Sequence, residues 1–311
     1  PYGAILDILS LKPGSKTLRQ MRGNDVTMIF QEPMTALSSF YTIGNQIIEA
    51  LRQHERVSRN EARARGIEAL DAVGMPDPEA QLNSYTFELS GGQRQRAMIA
   101  MALITRPRLL IADEPTTALD VTTQAVILDL MMEIQEKFAM SILFITHDLG
   151  VVSEIADEVV VMYLGEVVES GPVEQILSSP KHPYTRALIS AAPRYDGSHD
   201  ARLPVIPGIV PSLQDRPEGC VFASRCQYSK PGLCDQKRPI VRPGHTDVRC
   251  FLEEAGVPEI IEKVGSPTFT PNMRRSKSIS EQALLVEGVS RQFVKRTGFI
   301  RRKEKILRAV S

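Results

Sequence analysis

Three short apolar runs in this chain each end on polar residues whose types suit phosphate and water chemistry. Leu109-Leu110-Ile111-Ala112 leads into Asp113-Glu114-Pro115, Ser141–Ile145 into Thr146-His147-Asp148, and Val26–Phe30 into Gln31-Glu32-Pro33. Adjacent carboxylates can divide the work. Asp113 can hold Mg²⁺ through its water shell, and Glu114 can orient or deprotonate an attacking water. His147 can donate to a γ-phosphate, and Gln31 can reach metal or water as an uncharged sensor. A fourth feature, Leu89-Ser90-Gly91-Gly92-Gln93, opens a helix-forming run from Gln93 to Thr105. Ser90 suits an N-cap, Gly91 and Gly92 let backbone N–H groups approach an anion, and the helix dipole adds partial positive charge. Each feature taken alone has a bland reading, a solvated strand end or a Ser-capped helix after a glycine turn. Their joint occurrence favours the chemical one. The 311 residues contain no Gly-Lys pair, and so no G-x-x-x-x-G-K-[ST] phosphate loop. In Gly14-Ser15-Lys16-Thr17 the order is broken, and Leu9 stands where the first glycine belongs. That stretch predicts a turn opening a short helix, capped by Ser15 or a neighbour.

The elements that must position these groups are legible in outline. The three apolar runs predict buried strands, with Pro33 unable to continue the first as a ladder. Apolar positions from Ile43 to about Val73 recur at helical spacing, stopped by Gly74 and Pro76. Thr122–Lys137 predicts another helix, and Glu158–Tyr163 with Glu166–Glu169 flanks Gly165 as a hairpin. Strands joined by crossovers of helical length argue for an α/β layer with a mostly parallel sheet. In such sheets ligands bind at the carboxyl ends of the strands, where Gln31, Asp113, Glu114 and His147 fall.

Composition sets outer limits. Hydrophobic residues make up 42% and charged residues 24% of the chain, which suits a globular protein. The net charge is zero, so bulk electrostatics argues for neither a nucleic-acid partner nor a basic membrane surface. No apolar run approaches the ~20 residues that span a bilayer. The four cysteines all lie between Cys220 and Cys250. That clustering points to a metal or cluster site in a reducing cytosol rather than to a disulfide scaffold.

The order of motifs resembles that of ATP-binding-cassette (ABC) ATPases. Gln31 matches the Q-loop, LSGGQRQR (89–96) the signature, LLIADEP (109–115) Walker B, TTALD (116–120) the D-loop and ITHD (145–148) the H-switch. MIFQEPMTALSSFYTIGNQI (28–47) and KHPYTRALISAAP (181–193) are similar to the ATPases of oligopeptide, dipeptide and nickel importers. The chain departs from that pattern at Tyr85-Thr86-Phe87-Glu88, where Tyr-Pro-His-Glu is usual, and at Ser38-Ser39, where Asn-Pro is usual. The resemblance covers roughly residues 1 to 250 and resumes at 283. It implies a P-loop NTPase-type ABC cassette, here incomplete, with a mostly parallel sheet, a helical signature subdomain and a small Cys-rich C-terminal extension. It implies ATP and Mg²⁺ as ligands, with Asp113 supporting Mg²⁺, Glu114 polarising water, His147 on the γ-phosphate and Gln31 as sensor. Ser90, Gly91, Gly92 and Gln93 would grip ATP held by another cassette, and Asp120 would lie across the dimer seam. Implied partners are transmembrane permease subunits, contacted near Gln31 and Ile43–Leu51, a second cassette, and indirectly a solute-binding protein. The location implied is the cytoplasmic face of the membrane, peripherally.

The spacing Cys220-x₅-Cys226-x₇-Cys234-x₁₅-Cys250 does not fit the C-x₂₋₄-C pairs of structural zinc, and iron–sulfur ligation tolerates more varied spacing. Peptide-importer ATPases have an extension of this kind, which Pro217, Gly219, Phe222, Arg225 and His245 match in frame. Some members hold a [4Fe–4S] cluster there, so the resemblance puts that group first, with zinc and free thiols as alternatives.

The expected organisation is a cassette lacking its phosphate-loop segment over 1–193, with its helical part at about 43–105, then the Cys extension over 194–253 and a linker over 254–282. The start of a second cassette follows over 283–311, where Phe293 falls at the adenine-stacking position. On that reading the chain is the central part of a tandem fusion and is inactive alone. Two rival functions are a soluble ABC ATPase acting on DNA or ribosomes, which predicts coiled-coil insertions or basic arms, and a non-catalytic interaction module.

Overall fold

The computed structural model describes residues 7–31, 36–117, 119–192, 205–241 and 246–252, and the backbone of 291–297 and 303–310. Residues as far as Phe269 form one compact unit and Thr270–Ser311 a second.

Helix α1 (Lys16–Met21) starts at Ser15, whose side chain accepts the Leu18 amide, as the sequence predicts. It leads to strand β1 (Val26–Ile29). The predicted helical stretch from Ile43 divides in two, α2 (Ile43–Arg52) and α3 (Arg59–Ala72). The break has a local cause. Ser58 is a second N-cap, accepting the Glu61 amide, and restarts the helix after an irregular turn. A single turn, α4 (Pro78–Gln81), precedes α5 (Gly91–Leu103), whose Ser90–Gln93 capping box begins it two residues earlier than the sequence suggests. Then come β2 (Leu109–Asp113), α6 (Val121–Phe138) and β3 (Ser141–Ile145).

The order β1-β2-β3 is parallel throughout, in the register Val26↔Leu109↔Ser141 and Met28↔Ile111↔Leu143. Two-residue alternation sends Leu110 and Ala112 to one face, where they are buried with Ile29. On that face Met98 and Ile99 of α5 join Ile127, Met131 and Ile134 of α6 in one core, which continues into Ile43, Ile47, Leu51 and Leu70 of α2 and α3. Each such aliphatic side chain contributes about 1.5–3 kcal/mol on burial. That shared core ties the signature helix to the strand that carries Asp113.

Beyond β3, α7 (Leu149–Ile155) leads to an antiparallel sheet of β4 (Glu158–Tyr163), β5 (Glu166–Pro172) and the short β6 (Asp247–Val248). Helices α8 (Val173–Ser178) and α9 (Pro183–Ala191) follow β5. Here Val161, Tyr163, Val168 and Ile176 pack with Val221 and Phe222 of the Cys-rich segment, forming a second core. The aromatic rings interlock at its centre, with Tyr163 edge-on to Phe222 at 5.3 Å and Tyr184 at 5.4 Å from Phe222. In the second unit, β7 (Arg291–Thr297) and β8 (Lys303–Val310) pair antiparallel. Residues 283–290, the beginning of the expected second cassette, lie outside the described residues.

Candidate active site

The strand ends converge on Glu114. Gln31, just past β1, donates its Nε2–H to Glu114 Oε2 at 2.8 Å. Thr117 donates its hydroxyl to the same oxygen at 2.9 Å, and His147 Nδ1 lies 3.0 Å from Oε1. Glu114 reaches this position through a left-handed backbone (φ 43°), uncommon for a residue with a side chain. Two backbone bonds hold that turn, Glu114 N–H to Ile145 O at 2.9 Å and Thr117 N–H to Glu114 O at 3.1 Å. Such outliers persist where the surroundings over-determine them, and they concentrate at functional sites. The turn also separates the two carboxylates. Asp113 is the last residue of β2, opposite Ile145 and on the sheet face of Leu109 and Ile111, whereas Glu114 swings above the strand end.

The hydrogen bond from the His147 side, then the Thr117 hydroxyl, hold the Glu114 carboxyl below its ordinary range, with Gln31 adding to the effect. Glu114 is therefore an ionised acceptor with both oxygens engaged. A carboxylate so stabilised is a weak base, better suited to orienting and polarising a water than to removing its proton outright. The His147 side chain is 78% exposed against 22% for Glu114, so the imidazole can turn outward while the carboxylate stays in place.

The second predicted group gathers at two helix starts. Ser90 accepts the Gln93 amide at 3.3 Å, while the Gln93 side chain accepts the Ser90 amide at 2.9 Å. Gln93, expected to touch ATP, is turned back onto its own helix end as a cap partner. A Cβ placed on Gly91 meets nothing within 4 Å, leaving that amide approachable. A Cβ on Gly92 would stand 3.2 Å from Thr123 Cγ2 of α6, so the starts of α5 and α6 adjoin. Asp120 caps α6, accepting the Thr123 hydroxyl at 2.7 Å and the Thr123 amide at 3.0 Å. Those two bonds, the hydroxyl first, lower its carboxyl pKa.

All four cysteines are free thiols and line one cavity of about 20 Å³ with His182 and Phe222. Burial raises the thiol pKa values of Cys220, Cys226 and Cys250, that of Cys226 to about 11 and that of Cys250 to about 12. Backbone amides point at two sulfurs, Lys230 N–H to Cys234 Sγ at 3.4 Å and Leu252 N–H to Cys250 Sγ at 3.5 Å. Gly219 makes the convergence possible: a Cβ there would lie 2.4 Å from Cys234 O, the carbonyl that accepts the Cys220 amide. Sulfur-only donors with amide support fit the chemistry of a thiolate-held group. Among the described residues, however, no three His, Cys, Asp or Glu side chains already stand as a metal-ligand set, so the thiols would have to draw inward. Arg225, matched in frame above, instead donates to Pro207 O and Ile206 O within the extension and to the Tyr163 hydroxyl of β4. His245 lies outside the described residues, and of Phe293 only the backbone, within β7, is described.

Sequence reasoning missed two residues. Thr117 was visible only as part of TTALD, although its three-residue spacing from Glu114 across a turn was the available signal. Glu169 gave no signal, because only the fold buries it. Its carboxylate accepts the amides of Lys181 and His182 at 2.7 and 3.0 Å, fixing the loop that begins α9.

Comparison with known proteins gives two family matches, "ABC transporter" over residues 6–117 and "Oligopeptide/dipeptide transporter, C-terminal region" over 168–234. Among curated relatives, the "Probable peptide ABC transporter ATP-binding protein y4tR" of Sinorhizobium fredii is 50% identical over 238 residues, 76% of this chain and 71% of its own length. The dipeptide transport ATP-binding protein DppD of Haemophilus influenzae is 48% identical over 81% of this chain and 76% of its own. The oligopeptide transport ATP-binding protein OppD of Bacillus subtilis is 44% identical over 88% and 76%.

Proposed function

The chain belongs to the ATP-binding proteins of peptide ABC transporters, and on that premise we propose that Glu114, flanked by Gln31, Thr117 and His147, orients the water that attacks ATP during import of peptides or related small solutes. One observation carries the assignment, the convergence of three side chains from separate strand ends and turns on a single ionised carboxylate. ABC ATPases use ATP with Mg²⁺, which when bound neutralises phosphate charge. Asp113 would hold that ion. Gln31 keeps Glu114 in register with β1, and Thr117 holds the same oxygen from the opposite side. His147 releases Glu114 to donate to the terminal phosphate. Ser90, Gly91 and Gly92 present an anion-accepting helix start, with Gln93 completing its cap and Asp120 next to it, toward ATP held by a second cassette.

ATPases of this family work with transmembrane permeases. We place the contact near Gln31 and Ile43–Leu51, peripherally on the cytoplasmic face, with a solute-binding protein reached only through the permease. Among the described residues no helix is long and apolar enough to cross a membrane. Phe293 would stack on adenine in the second cassette. Because these 311 residues hold no Gly-Lys pair, this polypeptide by itself should neither retain ATP tightly nor hydrolyse it. ATP turnover by the purified chain, abolished by Glu114→Gln, would sink that view. When the chain is combined with permease and a phosphate-loop-bearing cassette, Glu114→Gln should keep ATP bound and stop turnover. Unchanged turnover would remove Glu114 from the role.

The four cysteines we read as ligands of a thiolate-held group, a [4Fe–4S] cluster by family resemblance and zinc as the alternative. The cavity is about 20 Å³ and no three of its side chains stand as a metal-ligand set among the described residues, so either group requires the walls to yield. Iron with acid-labile sulfide in anaerobically purified protein would establish the cluster, and stoichiometric zinc would reverse the order.

A further inference from the structure

Helices α2 and α3 border a groove of about 380 Å³, against about 20 Å³ for the cysteine cavity. Its charged lining is of one sign. Arg52 ends α2, and Arg59 and Arg63 stand one turn apart at the start of α3. Among the described residues no carboxylate lines it. Arg63 has a counter-ion in Glu79 at 2.9 Å, a solvated pair with side chains 43% and 70% exposed. The guanidinium groups of Arg52 and Arg59, among the described residues, make no hydrogen bond or ion pair. Half-buried Ile48 and buried Leu82 add apolar wall.

The other end of the groove is bordered by aromatic residues. Thr42, the cap of α2, lines it, and the two residues before Thr42, Phe40 and Tyr41, are 88% and 58% exposed. Thr42 also pairs with Tyr85, whose ring stacks at 5.5 Å on that of Phe87, itself 69% exposed. The ten residues of α2 set this aromatic end about 15 Å from Arg52. Exposed aromatic rings beside arginines without counter-ions are the composition of a protein-binding surface. A free inorganic anion would use the arginines alone.

We propose that this groove seats an acidic segment of the transmembrane permease. Its carboxylates would pair with Arg52 and Arg59, and an apolar side chain about 15 Å away would pack on Phe40 and Phe87. The inference rests on the permease contact placed at Ile43–Leu51 above. Charge pairing fixes partner and register, while the aromatic end supplies most of the affinity.

The test titrates the full chain, carrying a fluorophore, with vesicles holding the permease subunits of the Haemophilus influenzae dipeptide transporter. Protein-free phosphatidylglycerol vesicles are the comparison. The double variant Arg52→Glu/Arg59→Glu should weaken binding to the permease vesicles by about tenfold or more, and the loss should shrink as salt is raised. Phe40→Ala should weaken binding by a similar factor at every salt concentration. Lys137→Glu, a charge reversal outside the groove, should bind as wild type does. All these side chains are exposed, so thermal unfolding should be unchanged. Asn60→Cys, in the groove, should cross-link above the wild-type level to a permease segment that contains Asp or Glu. If the double variant binds as wild type does, or Asn60→Cys captures a segment without carboxylates, the groove proposal is refuted and the permease contact survives. If wild type binds the phosphatidylglycerol vesicles as tightly, with the same loss in the double variant, the arginines serve lipid headgroups and the proposal falls. A wild-type chain that does not bind the permease vesicles overturns the groove and the permease contact together.

Discussion

Replacing Glu169 by glutamine tests how firmly the fold holds the loop that carries His182. The carboxylate is fully buried and uses both oxygens as acceptors, Oε1 for the Lys181 amide at 2.7 Å and Oε2 for the His182 amide at 3.0 Å. A glutamine keeps one acceptor and puts an NH₂ against the other amide, leaving a buried donor unmatched. That costs about 1–3 kcal/mol, or a fall of about 2–4 °C in melting temperature per kcal/mol for a unit of this size. Alanine orphans both amides and should cost about twice as much. The pH dependence gives a sharper test. Burial raises the Glu169 carboxyl above its ordinary 4.5, partly offset by the Thr185 side chain, then the two amides and Arg186. A raised folded pKa contributes stability that is full below the unfolded value and is lost as pH rises through the folded one. Wild type should therefore gain on the glutamine variant as pH falls from neutrality toward 4.5. Thermal unfolding across that range, with hydrogen exchange at the Lys181 and His182 amides, measures both effects. A glutamine variant as stable as wild type, or a deficit that narrows on acidification, would refute the reasoning.

Other expectations concern the site and its supports. In the assembled transporter, Glu114→Gln and His147→Ala should each lower ATP turnover by about 100-fold or more, read by phosphate release under saturating ATP. The Glu114 carboxyl should titrate below 4.5, with the stability it contributes present above that pH and lost as pH falls through the depressed value. By NMR, Thr117→Val and His147→Ala should each move that titration upward, and an unmoved value would remove the corresponding bond from the site. Gly219→Ala should destabilise the Cys-rich segment by about 1–3 kcal/mol, because its Cβ would sit on backbone atoms of Cys234 and Asp235. Faster alkylation of Cys220 and Cys234 in that variant would report the loosening.

Much of this molecule was determined locally. Apolar runs of four or five residues before Gln31, Asp113 and His147 specify strands. The expected burial, however, holds only for one face of β1 and β2, and it is corrected for β3, where Leu143 is 51% and Ile145 45% exposed. The Ser90–Gln93 pair specifies a helix start through its own reciprocal bonds. The break between α2 and α3 was masked by continuing helical periodicity, and Ser58 was the overlooked cap. What only the tertiary structure decided is which groups meet. Gln31, Thr117 and His147 engage one carboxylate because the register of β1, β2 and β3 brings their ends level, and because the backbone turns left-handed at Glu114. Glu169 and His182 read as ordinary polar residues in the chain. Folding β5 under the start of α9 buries both, and there the carboxylate accepts the Lys181 and His182 amides and the imidazole Nδ1 accepts that of Tyr184.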